Sequence, residues 1–335
     1  CIRDRLWTND LDTGTKELEY SLSFFIFPLI LGFSKLKPKE YVNRVFSFFS
    51  FGYVVSMVIC LVIAASSYIQ TGNLKSFYYA DLSFFHHPSY MAMYGTVSLV
   101  YLYLSILRPE KIKTYYFKSS LSKLALISVI SLFIILLMSK AGILFALIIN
   151  GIGILAVFKR KKKLKQAFMA LAGLMLIVIG AYLSITPLEK RVNEVWVSLT
   201  SESPTESSTG ARLLAWEASW EVIQSSPVIG AGTGDLSNEL DNIYREKAHQ
   251  KMLKLSLNAH NQFLETWGKN GFIGLLSLLL LFYYAFASKR NYFYLLFVLL
   301  IWSNMFLESM LQIQSGIVFI AFMNSMFVAA VIHKE

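Results

Sequence analysis

The sequence predicts an all-α polytopic membrane protein, a multi-helix transmembrane bundle carrying one large, partly helical polar loop. Three observations predict it. Of 335 residues, 55% are apolar and only 16% charged, against about 25% charged in an ordinary soluble domain. Mean hydropathy is +0.52, and the apolar residues gather into near-continuous stretches of membrane-spanning length. A single long polar segment, 186–258, interrupts them. This pattern excludes a soluble enzyme, a disordered chain and a disulfide scaffold. It also disfavours a bacterial-type β-barrel, whose strands alternate apolar and polar residues in short segments.

A helix needs about 20 apolar residues to cross roughly 30 Å of hydrocarbon. Candidate spans fall at 20–34, 46–69, 88–107, 121–138, 141–158, 166–185, 271–287, 292–307 and 315–333. The first is short and holds Pro28; the fourth and fifth are joined by Ser139-Lys140 alone. Basic residues orient the stack. Lys35, Lys37, Lys39 and Arg44 follow the first span, Arg108, Lys111, Lys113 and Lys118 the third, six positives in KRKKKLK the fifth, and Lys289-Arg290 the seventh. These linkers share one side of a nine-span count, which the positive-inside rule makes cytoplasmic. The alternate linkers are poor in positives, with Lys75 in 71–87, Lys140 in 139–140 and none in 308–314. The net charge of +10 is thus topology information, and no nucleic-acid partner is expected. Cys60 lies within a span and reads as an ordinary lipid-facing or core thiol. The chain opens on Cys1 rather than Met; truncated N-terminal helices are expected, a lipidated Cys1 being the other option. The organisation expected is N-terminal helices over 1–185, the loop over 186–258 and C-terminal helices over 259–335.

The loop is too long for a simple connector and carries its own helical signals. STGARLLAWEASWEVIQ reads as a helix capped by Ser208 or Thr209, with Leu213, Trp216, Trp220 and Ile223 as an apolar stripe for an interface or the bundle. Pro227 ends it. VIGAGTGD follows, with no βαβ unit around its glycines. It reads as a sharp re-entry turn, or alternatively as a place where backbone amides meet a phosphate.

The candidates for chemistry cluster at the outer face. His260 opens NAHNQFLETWGKNGFIGLL, where the loop turns into a span. With Asn258 as cap, it would sit in the first helical turn, where the dipole disfavours imidazolium and keeps a neutral base. The alternative is an interfacial histidine capping a membrane helix. Leu264, Trp267, Gly271 and Gly274 share a helical face, the glycines admitting another helix or a lipid tail. Arg212, read as lying in the first turn of the Trp-rich helix, opposes the dipole there and so suggests an anionic partner; Glu217 is the structural alternative. Lys140, pinned in its hairpin, is either functional or snorkelling to the interface. No HExxH, clustered Cys/His set, Walker loop or Gly-x-Ser-x-Gly elbow is present, and Asp10-x-Asp12 is too common a pattern to assign a metal. Metal-free chemistry or transport remains.

Together these residues resemble the O-antigen ligase/polymerase superfamily. His260-Asn261, nine residues, Gly271, two residues, Gly274 is similar to the signature joining that family's large periplasmic loop to the following helix. Arg212 and Trp216 ahead of Ser-Pro-Val-Ile-Gly-Ala-Gly, the Ser139-Lys140 hairpin and His87-Pro-Ser-Tyr90 fit as well. The resemblance runs from about residue 20 to the end. It departs in the span count, which is higher in the family, and in the hairpin cation: lysine neutralises phosphate without arginine's bidentate grip. The resemblance implies a GT-C-like fold and a metal-independent inverting glycosyltransferase without cofactor. It would move a glycan from an undecaprenyl-diphosphate carrier to an acceptor hydroxyl, most directly O-antigen to lipid A–core in lipopolysaccharide biosynthesis. The expected place is the outer, periplasmic face of the bacterial cytoplasmic membrane. His260 would be the base and Arg212 and Lys140 the diphosphate ligands, with Asn261, His87, Tyr90, Gly271 and Gly274 in support. A polysaccharide polymerase and a protein O-oligosaccharyltransferase are the sister readings. A lipid-linked glycan transporter is more distant, since no paired halves are visible.

Overall fold

A computed structural model describes residues 8–34, 38–200, 208–287 and 291–332. Cys1, Lys35, Lys37, Lys289, Arg290 and His333, and the side chain of Lys39, lie outside that description. Among the described residues the regular structure is helical throughout, as an all-α polytopic membrane protein requires. Among the described residues, five helices are long and apolar enough to cross a membrane: Glu40–Thr71, Pro88–Leu107, Lys140–Arg160, Leu164–Ser184 and Gln314–Ile332. Ser120–Leu136 and Tyr292–Met305 are apolar but shorter. The two remaining expected spans are broken: the first becomes the ten-residue helix Ser23–Gly32 with Pro28 inside it, and 271–287 falls across helices Gln262–Leu281 and Tyr283–Ala287.

The chain divides into two compact units. In the unit Lys39–Asn193, the helix Pro88–Leu107 is the buried centre, packed on Ser120–Leu136 and Lys140–Arg160. Its Tyr103 hydroxyl donates to Asn150 Oδ1 at 2.9 Å, and Asn150 Nδ2 donates to Ser131 Oγ at 2.9 Å. Buried polar pairs of this kind tie spans together where lipid offers no partner. Leu164–Ser184 leaves Phe168, Met169, Leu176 and Leu183 exposed. Such a contiguous apolar face suits lipid, not water.

The second unit comprises Cys1–Pro38 and Glu194–Glu335. Gln314–Ile332 packs on Ser23–Gly32, with Phe27 edge-on to Phe322 at 5.3 Å. It also meets Tyr292–Met305, where Tyr294 stacks on Phe327 and donates to Asn324 Oδ1 at 2.6 Å. The polar segment builds a small core of its own. Leu214, Ala215, Ala218 and Val222 of helix Ser208–Ser225 pack against Leu236, Leu240 and Tyr244 of helix Leu236–Glu246 and Met252 beyond it. The buried face is therefore turned from the expected Leu213–Trp216–Trp220 stripe. Of that stripe Ile223 is buried, while Trp220 is exposed and meets Trp267 edge-on at 5.6 Å. The small alanines let neighbouring helices approach more closely than the tryptophans could.

Asp10 and Asp12 are explained locally. Asp10 caps helix Leu11–Ser21 by accepting from Thr13 N–H and Oγ1, and these hydrogen bonds hold its pKa below the usual value. Asp235 then accepts the Asn9 and Asp10 amides at 2.7 and 3.1 Å. The short helix is thereby pinned to the glycine-rich turn.

Candidate active site

The site grows from a kink. Helix Gln262–Leu281 breaks at Gly271, whose φ of 64° and ψ of −167° are not helical. The glycine-rich segment runs through the break: Ala231 and Gly232 amides donate to Gly268 O and Lys269 O at 2.7 and 3.0 Å, and Phe272 N donates to Pro227 O at 3.0 Å. The turn thus satisfies carbonyls that the interrupted helix leaves open. A Cβ on Gly271 would collide with the Val228 carbonyl, and one on Gly230 (φ 76°) would meet the Lys269 carbonyl at 2.5 Å. The expected continuous face from Leu264 to Gly274 is corrected accordingly: Gly271 admits backbone, not a second helix or a lipid tail. The alternative of a phosphate on the turn amides is corrected too, since the Gly230, Ala231 and Gly232 amides already have carbonyl partners.

The same helix starts at Asn261, whose side chain accepts from Phe263 and Leu264 amides at 2.9 and 3.2 Å. Asn261 is the cap, and Asn258 is not; Asn258 Oδ1 instead accepts the His260 amide at 3.0 Å. His260 therefore stands one residue ahead of the cap, outside the helix. Its φ is 45°, the left-handed region that costs a non-glycine residue about 1–2 kcal/mol and that gathers at functional sites.

From this turn the imidazole reaches Glu308, with Nδ1 at 3.2 Å from Oε2. The other carboxylate oxygen, Oε1, takes Arg212 Nη2 at 2.6 Å. Glu308 lies 15% exposed. Burial would raise its pKa, but the hydrogen bond from His260 and the charge of Arg212 outweigh this and hold it near 2. An ionised carboxylate only accepts, so the His260 contact is favourable with the proton on Nδ1. The lone pair is then left on Nε2. Arg212 is fixed further by Nε to Leu307 O at 3.1 Å and Nη1 to Ser208 O at 3.3 Å.

The Arg212–Glu217 pair, the structural alternative, does not form; Glu217 pairs with Lys247 at 2.7 Å. Ser208 and Thr209 both lie inside the helix, which puts Arg212 in its second turn and removes the dipole argument. Glu308 escaped sequence reasoning altogether. Its signal was a lone acid at the end of an apolar span, in a linker with no positive charge.

Beneath His260, buried Glu265 takes the Ala259 amide at 2.9 Å on Oε2 and Lys269 Nζ at 3.1 Å on Oε1. Lys269 also holds Glu17 Oε1 at 2.5 Å and Gln312 Oε1 at 2.8 Å. Burial would lower the Lys269 pKa, yet the charges of Glu265 and Glu17 raise it above the ordinary value. Beside this cluster lies a cavity of about 470 Å³, with Gln262, Thr266 and Lys269 at its polar end and Phe24, Leu278 and Leu281 along its apolar wall.

Arg212, His260, Asn261, Gly271 and Gly274 thus share one unit, and Gly274 lines the cavity. Lys140, His87 and Tyr90 belong to the other unit. Lys140 opens its helix behind Ser139, which caps it by accepting from Gly142 N–H at 3.2 Å. His87 caps Pro88–Leu107, Tyr90 is buried, and burial lowers the pKa of neighbouring His86. Among the described residues no three His, Cys, Asp or Glu side chains are grouped to hold a metal ion.

An uncharacterized protein of Haemophilus influenzae (strain ATCC 51907 / DSM 11121 / KW20 / Rd) is 33% identical over 117 residues, a match covering 32% of this chain and 28% of that protein. The alignment thus spans less than a third of either chain. Residues 124–279 match the family model described as O-Antigen ligase. That segment holds Lys140, Arg212, His260 and the Gly271/Gly274 pair, so the similarity to the O-antigen ligase family runs through the candidate site residues.

Proposed function

We propose that this protein is a metal-independent, inverting glycosyltransferase acting on the outer face of the bacterial cytoplasmic membrane. It transfers a glycan from an undecaprenyl-diphosphate carrier to an acceptor hydroxyl, with O-antigen ligation to lipid A–core as the leading reaction. The observation that carries this reading is the sharing of Glu308 between His260 and Arg212, one carboxylate oxygen to each.

In this reading His260 Nε2 takes the acceptor proton while Nδ1–H stays on Glu308, which stabilises the imidazolium that forms. Arg212 gives three N–H groups to Leu307, Ser208 and Glu308. A guanidinium carries five, so two remain for the lipid diphosphate. On the resemblance alone, Lys140 is assigned to the charge of the leaving group. The acceptor oxygen attacks the anomeric carbon from the face opposite the diphosphate, the C–O bond to phosphate breaks, and the configuration inverts. The apolar wall of the 470 Å³ cavity offers room for part of the polyprenyl chain.

The test is in vitro transfer with purified protein and a lipid-diphosphate glycan, offered lipid A–core, a peptide and a glycan in turn. Transfer to lipid A–core, lost in His260→Ala, is the expected result. Preference for the glycan or the peptide would reassign the protein to polymerase or protein-glycan transferase. Movement of the intact donor across a vesicle membrane without transfer would mark a transporter.

A further inference from the structure

The left-handed turn at His260 needs something to hold it, and Glu265 is placed to do so. A non-glycine residue at positive φ persists only where its surroundings over-determine it. The Ala259 amide, in a residue with no exposure, finds its acceptor in Glu265 Oε2 at 2.9 Å. Ser309 Oγ, next in sequence to Glu308, approaches the same oxygen at 3.5 Å. One carboxylate atom therefore faces the neighbour of His260 and the neighbour of Glu308. The other oxygen is held by Lys269, itself held by Glu17 and Gln312. Glu265 also sits in the first turn of helix Gln262–Leu281, where a negative charge is favoured by the dipole.

We propose that Glu265, anchored by Lys269, is a positioning residue that fixes the Ala259–His260 turn and with it the His260–Glu308 pair. This rests on the base assignment above. Glu265 touches neither substrate nor the reacting atoms. It acts through the backbone, and Lys269 holds its carboxylate in place. A misplacement of about 1 Å at a reacting group costs on the order of 10²-fold in rate, which sets the scale of the expected effect.

Glu265→Ala alone would remove one of the two carboxylates that pair with the buried Lys269 charge, so the informative variant is the double substitution Glu265→Leu/Lys269→Met. It replaces the Glu265–Lys269 pair with apolar volume; the Ala259 amide and Ser309 Oγ lose their acceptor, and Glu17 and Gln312 lose the Lys269 donor. Glu265→Gln keeps an acceptor oxygen. Three quantities are measured in purified protein: kcat, donor KM and the rate of His260 modification by diethylpyrocarbonate, read by peptide mass. In the double variant we expect kcat to fall about 10- to 100-fold, with KM within about twofold and the His260 modification rate changed severalfold. Glu265→Gln should restore all three to near wild type. In a His260→Ala background the double variant should cost nothing further.

A folded double variant with wild-type kcat and wild-type His260 reactivity would overturn the proposal. So would loss of folding in the double variant while Glu265→Gln folds, since Glu265 would then be a stability element. The modification rate separates the two readings. If His260→Ala retains transfer, the base assignment fails while His260 reactivity still reports whether Glu265 sets the turn.

Discussion

His260 Nδ1 lies 3.2 Å from Glu308 Oε2 across 48 residues of sequence, and this contact engages one ring nitrogen and leaves Nε2 outside it. Glu308 bridges to Arg212 with its other oxygen, so the imidazole and the guanidinium are both set by one buried carboxylate.

The two ends of that bridge should fail differently. His260→Ala should lower transfer by about 10²–10⁴-fold with donor binding largely intact. Arg212→Ala should weaken donor binding as well as turnover. Arg212→Lys should recover only part of this, because charge survives but the planar fork does not. Donor affinity measured beside rate decides it. Loss of donor binding with normal saturated turnover in His260→Ala would make the histidine a phosphate ligand.

Glu308→Gln should keep the fold and lose about 10²-fold or more in kcat, since the amide no longer stabilises imidazolium or enforces the Nδ1–H tautomer. The acid dependence of stability has a definite sign. Folded Glu308 has its pKa lowered from 4.5 to about 2. Its contribution is therefore complete above about pH 4.5 and is lost as pH falls towards 2. The shift corresponds to on the order of 3 kcal/mol. Thermal melts in detergent from pH 7 to pH 3 should show a drop for the wild type that is smaller in Glu308→Gln.

Gly271→Ala should destabilise by about 2 kcal/mol or more, because a side chain is disfavoured at that φ and its Cβ would strike the Val228 carbonyl. An unchanged melting temperature would mean that the turn can move aside. Lys247→Ala provides the contrast. Its bridges to Glu217 and Glu221 are largely exposed, and surface pairs contribute about 0–1 kcal/mol.

Transfer should survive exhaustive chelation, since the groups assigned to the diphosphate are side-chain cations. A strict requirement for added magnesium or manganese would reopen the assignment.

Cysteines introduced at Lys162 and Glu239 should report opposite sides of the membrane. An impermeant reagent applied to intact cells should label the Glu239 position and spare the Lys162 position. Labelling of both would remove the orientation on which the proposed outer-face site depends.

The sequence by itself determined the class and most of the span positions, because both depend on local quantities. Helix Pro88–Leu107 coincides with its apolar stretch to the residue, and Leu164–Ser184 is displaced by only one or two. The signature around His260 was also legible, being contiguous. Tertiary structure alone decided how His260 is partnered. Its partner Glu308 is 48 residues away and the Arg212–Glu308 pair spans 96, and no periodicity encodes contacts at that separation. The same holds for the break at Gly271. On spacing alone the helix continues, and what interrupts it is the backbone of residues 227–232 entering from another part of the chain to satisfy the carbonyls of Gly268 and Lys269. Local patterns record which residues leave water or prefer a helix. Which buried polar group meets which is settled only when the packed chain must satisfy every one of them.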